Sequence, residues 1–436
     1  MPNPKRATIA ILTMILLVAC TARENWEEEL GSWNQYLGDA ANSGQKFVAT
    51  SIPVAGQQAV LGLSSVTDVI RTTPIVAPDG QVIFSSYAYE ASVPEGRTSR
   101  FYILYKGPQP AIRRAHIFAG QMSTAAVDRA GNIYAVLDEP GDGDWQLISW
   151  TSAGNERWRM PFRPNGWTLA PPKVVAHHAG GSLIFVAGGF VSLIVFNDKG
   201  ARLKEVMACY IVEGGTKFPF EFNVRGLALR PLSENPAPAI IPAPIANPDR
   251  FFIVAPFDRC GIAFIQMYLG QTSDHAPYLR TFRVVEGDKR FSSPAISRNG
   301  IAVIGNSQKS VEGYDVRTGH RKWFVQTDRE SEISQPAFLP LGLNFVYFAA
   351  GEKVHKVDIS DGSVVGRLEI SGAKNISASA SRLHVAATGA LHLLNFDLKL
   401  EGKVPLSVGG QAPTFGINGE VYVVEDAAKL VIFPGP

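Results

Sequence analysis

Apolar and polar residues alternate over short stretches through most of this chain, and glycine-centred turns separate the stretches. Such alternation is the pattern of a β-strand with one buried face, whereas an amphipathic helix repeats apolar residues every three to four positions. The helical spacing is sustained only in a short piece at residues 24–37. The pattern therefore predicts an all-β protein built from many short strands.

A repeated unit underlies this alternation. A proline followed six residues later by a glycine, and then by a β-rich run, recurs at Pro74/Gly80, Pro294/Gly300, Pro336/Gly342 and Pro413/Gly419. Proline is tolerated at the first residue of a strand and glycine adopts the positive φ of a tight turn, so each unit is expected to open with a β-hairpin. Three further units lack the proline, and an eighth, much altered, turns near Asp249. The turn residues in order are 80, 131, 181, 249, 300, 342, 382 and 419.

A second hairpin follows within each unit and is clearest at residues 311–323. There an alternating strand ends in Asp315-x-x-Thr318-Gly319, a turn whose aspartate bonds its own backbone and whose glycine takes left-handed geometry. Four strands per unit, with turn spacings mostly of about 40 to 50 residues, are typical of propeller blades. The sequence thus predicts one β-propeller domain over residues 57–436 with eight four-stranded antiparallel blades. Seven blades remain the alternative, because the fourth and the closing units are inferred.

These residues resemble the quinoprotein-type (PQQ-repeat) β-propeller repeats, in which the outer hairpin of a blade carries Asp-x-x-Thr-Gly followed by Trp. Residues 313–323 are the best match, the unit with Trp158 is second, and residues 33–44 are similar to the lead-in of that superfamily. The overall plan is similar to the lipoprotein propeller subunit of the outer-membrane β-barrel assembly machinery. That resemblance implies a non-enzymatic scaffold for outer-membrane proteins or their assembly apparatus, bound by exposed loops or by strand addition at a blade edge.

The last unit has room for only three strands, and the third ends at residues 429–433. Propellers of this type commonly close the ring with a strand from the N-terminus, and residues 58–64 are the natural donor. Closure leaves only short, protected sheet edges. We therefore expect an N-terminal strand to complete the last blade.

The first nineteen residues have the pattern of a signal peptide. Lys5 and Arg6 supply a positive start, and residues 7–19 form an apolar run too short to span a bilayer. The junction Leu17-Val18-Ala19-Cys20 resembles the lipobox of bacterial lipoproteins, which implies removal of residues 1–19 and a lipid on Cys20. In that family Thr21 after the cysteine implies sorting to the outer membrane. We expect residues 20–56 to be a lipidated tether and lead-in, with the propeller facing the periplasm.

Charge narrows the range of partners. Residues 1–19 contain two basic and no acidic residues, so the rest of the chain balances 39 basic against 39 acidic side chains. Nucleic-acid binding needs a basic stripe, and a net charge of zero argues against it. The expected partners are envelope proteins and, through the lipid on Cys20, a membrane.

Two cysteines remain once Cys20 carries a lipid. In an oxidising compartment Cys209 and Cys260 form either a disulfide or two separately buried thiols, and the sequence leaves both open. Neither lies near a further cysteine, so the spacing of a zinc site is absent.

The resemblance to quinoproteins raises an enzyme alternative, a dehydrogenase that uses pyrroloquinoline quinone and calcium. Such enzymes commonly carry an adjacent cysteine pair, whereas Cys209 and Cys260 stand 51 residues apart. Residues 142–144 lack the rest of a calcium ligand set, and the adjacent His177 and His178 would point to opposite faces of a strand. The sequence contains no nucleophile elbow, His-Glu-x-x-His motif or phosphate loop. We expect no catalytic residue, metal or cofactor; the dehydrogenase and a surface-exposed binder of carbohydrate or another ligand remain the alternatives.

A proline-rich stretch at residues 231–248 lies before the turn of the fourth unit and lengthens the spacing between the third and fourth turn residues. Closely spaced prolines favour an extended, partly pre-ordered loop that loses little entropy on binding. The functional interpretation is a partner-docking loop, and the alternative is a tolerated surface insertion. The residues expected to contact a partner are Pro236, Pro238, Pro242 and Pro244.

Overall fold

The described part of the chain consists of β-strands, turns and extended connections, and it contains no helix. Accordingly, no helix capable of crossing a membrane occurs among the described residues. The computed structural model describes residues 50–53, 58–63, 68–70, 72–89, 97–105, 111–138, 145–162, 170–177, 179–187, 192–207, 210–213, 216–219, 239–242, 250–257, 261–286, 291–297, 299–306, 310–327, 333–334, 336–338, 344–406 and 412–436.

Eight antiparallel sheets succeed one another along the chain and form the blades of a β-propeller, which confirms the eight-bladed prediction over the seven-bladed alternative. Within blades 1 to 7 the strands pair in sequence order, from an innermost to an outermost strand, and in blades 1 and 2 two short strands share the innermost position. The first strand, β1 (Ala59–Gly62), belongs to blade 8.

The remaining strands are given blade by blade. Blade 1 contains β2 (Val69–Ile70), β3 (Ile75–Val76), β4 (Val82–Tyr89), β5 (Arg97–Leu104) and β6 (Ile112–Ala119). Blade 2 contains β7 (Gln121–Met122), β8 (Ala126–Val127), β9 (Ile133–Asp138), β10 (Trp145–Trp150) and β11 (Glu156–Phe162). Blade 3 contains β12 (Lys173–Ala176), β13 (Ser182–Ala187), β14 (Ser192–Asn197) and β15 (Arg202–Met207). A two-stranded sheet of β16 (Tyr210–Glu213) and β17 (Thr216–Pro219) follows.

The second half of the ring has the same design. Blade 4 contains β18 (Ala239–Pro242), β19 (Arg250–Phe257), β20 (Gly261–Tyr268) and β21 (Tyr278–Glu286). Blade 5 contains β22 (Ala295–Ile296), β23 (Ile301–Asn306), β24 (Ser310–Asp315) and β25 (Arg321–Gln326). Blade 6 contains β26 (Ala337–Phe338), β27 (Phe345–Ala350), β28 (Lys353–Asp358) and β29 (Val364–Glu369). Blade 7 contains β30 (Ala373–Ala378), β31 (Leu383–Ala387), β32 (Ala390–Leu394) and β33 (Leu400–Pro405), and blade 8 contains β34 (Thr414–Phe415), β35 (Val421–Glu425) and β36 (Lys429–Phe433).

The hydrophobic core lies between the blades. Six clusters of buried apolar side chains each join neighbouring blades, and together they bridge every blade boundary in the ring. Strands in the middle of a blade are covered on both faces, so every residue of β13 and β14 is buried. Outermost strands are covered less, and in β29 half-buried and exposed residues alternate. This explains why some strands read as continuous apolar runs and others as alternating ones.

The N-terminal strand closes the ring as predicted. Strand β1 pairs antiparallel with β36 and becomes the outermost strand of blade 8, with Ala59 opposite Ile432 and Gly62 opposite Lys429. The chain then passes to the innermost strand of blade 1, where the main-chain N–H of Ile70 donates to the carbonyl oxygen of Ala427 in blade 8. The two ends of the domain are thereby held in one sheet.

The predicted Asp-x-x-Thr-Gly turn joins β24 to β25. The main-chain N–H of Gly319 donates to the carbonyl oxygen of Asp315 at 2.7 Å, and that of Arg317 donates to the Asp315 carboxylate at 2.8 Å. Gly319 has φ +66°, the left-handed conformation that favours glycine. The aspartate and glycine therefore have the roles that the sequence predicts.

The proline-rich stretch contains part of a blade. Residues Ala239–Pro242 form β18, the innermost strand of blade 4, with Ala239 opposite Val254 and Pro242 opposite Phe251. A proline at a strand end is compatible with the ladder because few main-chain donors are lost there. Residues 239–242 thus belong to a strand, which corrects the interpretation of residues 231–248 as one continuous loop.

Candidate functional sites between the blades and at their outer edge

Most residues singled out in the sequence lie outside the described part of the chain. They are Cys20, Cys209, Cys260, Pro236, Pro238 and Pro244. The lipid, the disulfide and the docking loop therefore stay predictions. Pro242 is described and ends the innermost strand of blade 4.

His177 follows β12 and is buried at the boundary between blades 3 and 4. Its Nε2 atom lies 3.0 Å from the carbonyl oxygen of Gly270, and the main-chain N–H of Ala179 donates to its Nδ1 atom at 3.1 Å. Nε2 must therefore carry the proton while Nδ1 accepts, so both ring nitrogens are engaged in hydrogen bonds. This arrangement makes His177 a structural link between two blades rather than a metal ligand.

Asp68 is a fully buried carboxylate at the entry to blade 1. Its Oδ2 atom forms an ion pair with the guanidinium of Arg100, whereas its Oδ1 atom has no hydrogen-bond partner. The hydroxyl of Thr98 is also buried without a partner, and Thr98 lies on the same face of the sheet as Arg100. Unpaired buried oxygens grouped in this way suit ordered water, and one carboxylate alone does not form a metal site.

A second buried carboxylate, Glu312, lies between blades 4 and 5. Asn306 Nδ2 donates to its Oε1 atom at 2.9 Å and Ser310 Oγ donates at 3.3 Å, while the hydroxyl of Tyr314 donates to Oε2. Burial, followed by the hydrogen bond to Glu312, raises the pKa of Tyr314 well above its usual range. The tyrosine therefore stays protonated and remains a donor, so the cluster stabilises the blade without supplying a proton for chemistry.

The described residues do not fit a calcium-dependent quinone site. Calcium takes six to eight oxygen ligands. No group of three or more His, Cys, Asp or Glu side chains suited to a metal ion comes together in the described ranges. The three buried carboxylates of the described residues also lie in different blades, Asp68 in blade 1, Asp128 in blade 2 and Glu312 in blade 5.

The outermost strand of blade 1, β6, is the most exposed strand edge that the structure describes. Ile112, Arg113, Arg114 and Ala115 are four consecutive exposed residues, whereas every other described outermost strand has at most two in a row. Consecutive residues of a strand point to opposite faces, so both faces of β6 are open to solvent there. Further along, Ile117 is 67% exposed. We call residues 112–119 the blade-1 edge.

Arginines dominate the charge of the blade-1 edge. Arg113 contacts only neutral groups among the described residues: its guanidinium lies over the ring of Tyr105, 5.8 Å from the centroid, and 3.5 Å from the carbonyl oxygen of Ser152. Arg114 donates to the amide oxygen of Asn155 at 2.7 Å. No carboxylate pairs with Arg113 or Arg114 in the described ranges. Within the part of the chain that the structure describes, the positive charge of both side chains is therefore not neutralised by a carboxylate.

Neither the blade-1 edge nor the buried Asp68 was identified from the sequence. The run Ile112-Arg113-Arg114-Ala115 breaks the alternation of a strand with one buried face, and this break was the signal for the edge. For Asp68 the sequence carries no comparable signal, because Arg100 is 32 positions away.

The comparisons with known proteins agree with this geometry. Residues 281–393 match the family model described as outer membrane protein assembly factor BamB. No curated protein matches the chain.

Solved propeller structures cover most of the chain at low identity. BamB from Moraxella catarrhalis is 13% identical with a TM-score of 0.56, over 87% of this chain and 99% of that one. Quinohemoprotein alcohol dehydrogenase from Comamonas testosteroni is 10% identical with a TM-score of 0.57, over 92% and 80%. Sqt1 from Saccharomyces cerevisiae is 7% identical with a TM-score of 0.56, over 89% and 100%. At these identities the structures show the fold, and together with the match over residues 281–393 they confirm the resemblance to BamB and to quinoprotein-type propellers.

Proposed function

We propose that this protein is a membrane-anchored, non-catalytic scaffold of the bacterial envelope that acts in outer-membrane protein assembly. The observation that carries the proposal is the match of residues 281–393 to the family model for an outer membrane protein assembly factor. The matched residues run from the outermost strand of blade 4 into the third strand of blade 7. They include blades 5 and 6 in full, so the likeness involves consecutive repeats.

The architecture supports a binding role. Apolar clusters bridge every blade boundary, and the buried charges of Asp68 and Glu312 are held by neighbours within the ring. A rigid frame of this kind holds its exposed loops and edges in fixed positions, which suits the capture of other proteins. The BamB structure from Moraxella catarrhalis shares this frame.

The proposal includes a lipid on Cys20 that holds the ring at the periplasmic face of the outer membrane. A single acyl chain binds a membrane weakly, whereas several chains hold firmly. Mass spectrometry of the mature protein should find Cys20 at the N-terminus with acyl chains attached. A Cys20→Ser variant should leave the membrane fraction, and its continued membrane retention would contradict the anchor.

Crosslinking in intact cells tests the scaffold. Envelope proteins of outer-membrane assembly should be recovered with this chain, and no dye reduction should follow addition of an alcohol or sugar with pyrroloquinoline quinone and calcium. Likeness to an alcohol dehydrogenase structure makes that enzyme the second candidate. Dye reduction without recovery of an envelope partner would favour the enzyme and reject the scaffold. Protease accessibility on whole cells would instead favour a surface-exposed binder.

We keep the proposal of a partner-docking loop in the proline-rich stretch, but without the residues that form β18. Because residues 239–242 belong to β18, replacement of residues 232–238 with a Gly/Ser linker changes the proline-rich stretch without removing that strand. Loss of partner capture at unchanged thermal stability would support the loop, and unchanged capture would exclude it. A Cys209–Cys260 bond is tested separately by peptide mass mapping under non-reducing conditions.

A further inference from the structure

The blade-1 edge combines exposure with positive charge. Strand β6 has eight residues, and the outermost strands of the ring range from four to nine. Its backbone pairs with β5 on one side and with no other described strand. Alternate residues of such an edge direct their main-chain N–H and C=O groups outward, where they can accept a further strand.

The register defines where an added strand would pair. Ile112 lies opposite Leu104 and Arg114 lies opposite Ile103, so Arg113 is the extra residue of a β-bulge. A bulge interrupts the regular ladder. The regular part of the edge therefore runs from Arg114 to Ala119, and Arg113 lies just beyond its end.

The two sides of this regular part differ in chemistry. Arg114, His116 and Phe118 share the side that faces blade 2, since His116 lies 2.8 Å from the carbonyl oxygen of Gly154 and Phe118 packs edge-on against Trp150. The guanidinium of Arg159 lies 5.6 Å from the Phe118 ring centroid and is paired with the carboxylate of Glu156, so the uncompensated charge on that side comes from Arg114.

The opposite side of the edge carries Ala115 and Ile117, which are both exposed. One side of an incoming strand therefore meets arginine, and the other meets aliphatic surface.

We propose that the blade-1 edge is a strand-addition site for an extended acidic segment of a partner protein. Carboxylates on one side of the segment face Arg114, and aliphatic side chains on the other face Ala115 and Ile117. Arg113 meets the end of the segment. This inference rests on the proposed scaffold function and assigns one surface and one partner chemistry to it.

A second copy of this chain is a poorer occupant of the same edge. Strand β6 contains two arginines and no acid, so pairing of two copies would bring like charges together. An acidic segment instead neutralises Arg113 and Arg114, for which the described residues provide no carboxylate.

The test uses the purified chain and a short blocked peptide in which valine alternates with glutamate. Fluorescence anisotropy should show saturable binding, and the matching valine–lysine peptide should not bind. Arg113→Glu/Arg114→Glu should weaken binding about tenfold or more, because two attractive charge pairs become repulsive. The matched control, Arg317→Glu/Lys322→Glu, makes the same charge change at the outer edge of blade 5 and should leave affinity unchanged.

N-methylation of the peptide distinguishes strand addition from charge attraction alone. Methyl groups on the alternate amides that face β6 should abolish binding, whereas methyl groups on the other amides should be tolerated. Equal tolerance of both series would overturn the proposal. Equal loss in the blade-1 and blade-5 variants would also overturn it, as would peptide binding seen only after deletion of residues 21–49.

Crosslinking separates this inference from the scaffold function. If Arg113→Glu/Arg114→Glu retains every envelope partner in cells, the edge proposal fails while the scaffold stands. If the parent chain captures no envelope protein yet binds the glutamate peptide, the scaffold fails while the edge remains a strand-addition site.

Discussion

The indole N–H of Trp323 in blade 5 donates a hydrogen bond to the carbonyl oxygen of Ile359 in blade 6, at 2.8 Å. Trp158 in blade 2 makes the equivalent contact with the carbonyl oxygen of Asp198 in blade 3, at 2.9 Å. In both cases the tryptophan is on an outermost strand and the acceptor is in the outer turn of the next blade. The tryptophan that follows the outer turn in the repeat therefore links each such blade to its neighbour.

Replacement of Trp323 by phenylalanine should weaken this link. The aromatic volume is largely kept, but the Ile359 carbonyl loses its donor, and an unsatisfied buried acceptor costs about 1–3 kcal/mol. Urea denaturation of Trp323→Phe should show that loss. Trp158→Phe is the matched variant and should lose less, because Trp158 is only half-buried whereas Trp323 is buried. Unchanged stability in Trp323→Phe would show that the hydrogen bond contributes nothing.

Alanine variants of two glycines distinguish the free-energy cost of backbone strain from the cost of side-chain crowding. Gly362 (φ +79°) lies beneath Trp323, and a Cβ added to it would lie 2.7 Å from the Trp323 Cβ. Gly389 also has φ +79°, but a Cβ there meets nothing within 4 Å. Gly389→Ala should cost about 1 kcal/mol from the left-handed backbone alone, and Gly362→Ala should cost more because Trp323 must move. Equal unfolding free energies for the two variants would contradict the packing of Gly362 against the indole.

Ring closure by β1 predicts a graded response to N-terminal truncation. Deletion of residues 21–49 keeps β1 and its pairing with β36, so this variant is the reference for the longer truncation. Deletion of residues 21–66 also removes β1, exposes the edge of β36 and uncovers apolar side chains around Leu61, at a cost of about 3 kcal/mol or more. Calorimetry of both truncations provides the measurement. Equal melting temperatures would contradict closure by β1.

Local turn chemistry made the fold predictable from the sequence. Gly80, Gly131, Gly300 and Gly419 were identified as hairpin turns, and all four have φ between +77° and +86°. Each turn depends on the few residues that form it, so its sequence determines its conformation. Counting the eight turn residues predicted from the sequence therefore gave the number and order of the blades.

Features that depend on distant neighbours were not predictable. Strand β18 forms within the proline-rich stretch because Ala239–Pro242 finds β19 as its partner, and local composition favoured a loop. The exposure of Arg113 and Arg114 depends on which other strands cover β6, and among the described strands β6 pairs with β5 alone. The pairing of Asp68 with Arg100 requires the assembled blade 1, in which β2 pairs with β4 and β4 with β5.

His384 provides a test of the N-terminal lead-in through pH. Its ring is fully buried in blade 7, its Nε2 atom lies 3.0 Å from Thr50 Oγ1, and it packs edge-on against Phe415 of blade 8. Burial, with a smaller contribution from the charge of Arg382, lowers the pKa of His384 from 6.5 to about 3. The folded state therefore keeps the ring neutral at a pH where the unfolded state takes up a proton.

Below pH 6.5 the unfolded chain binds more protons than the folded one, so stability should fall as pH falls toward 3. His384 should contribute a slope of about 1 kcal/mol per pH unit over that range. His384→Gln keeps an amide that can hydrogen-bond to Thr50 Oγ1 but does not titrate, so its unfolding free energy should fall less steeply between pH 6 and pH 4. His116 and His392, whose pKa values burial also lowers, are present in both proteins and cancel in the difference. Parallel pH profiles for the parent and His384→Gln would show that His384 is solvated or protonated in the folded ring.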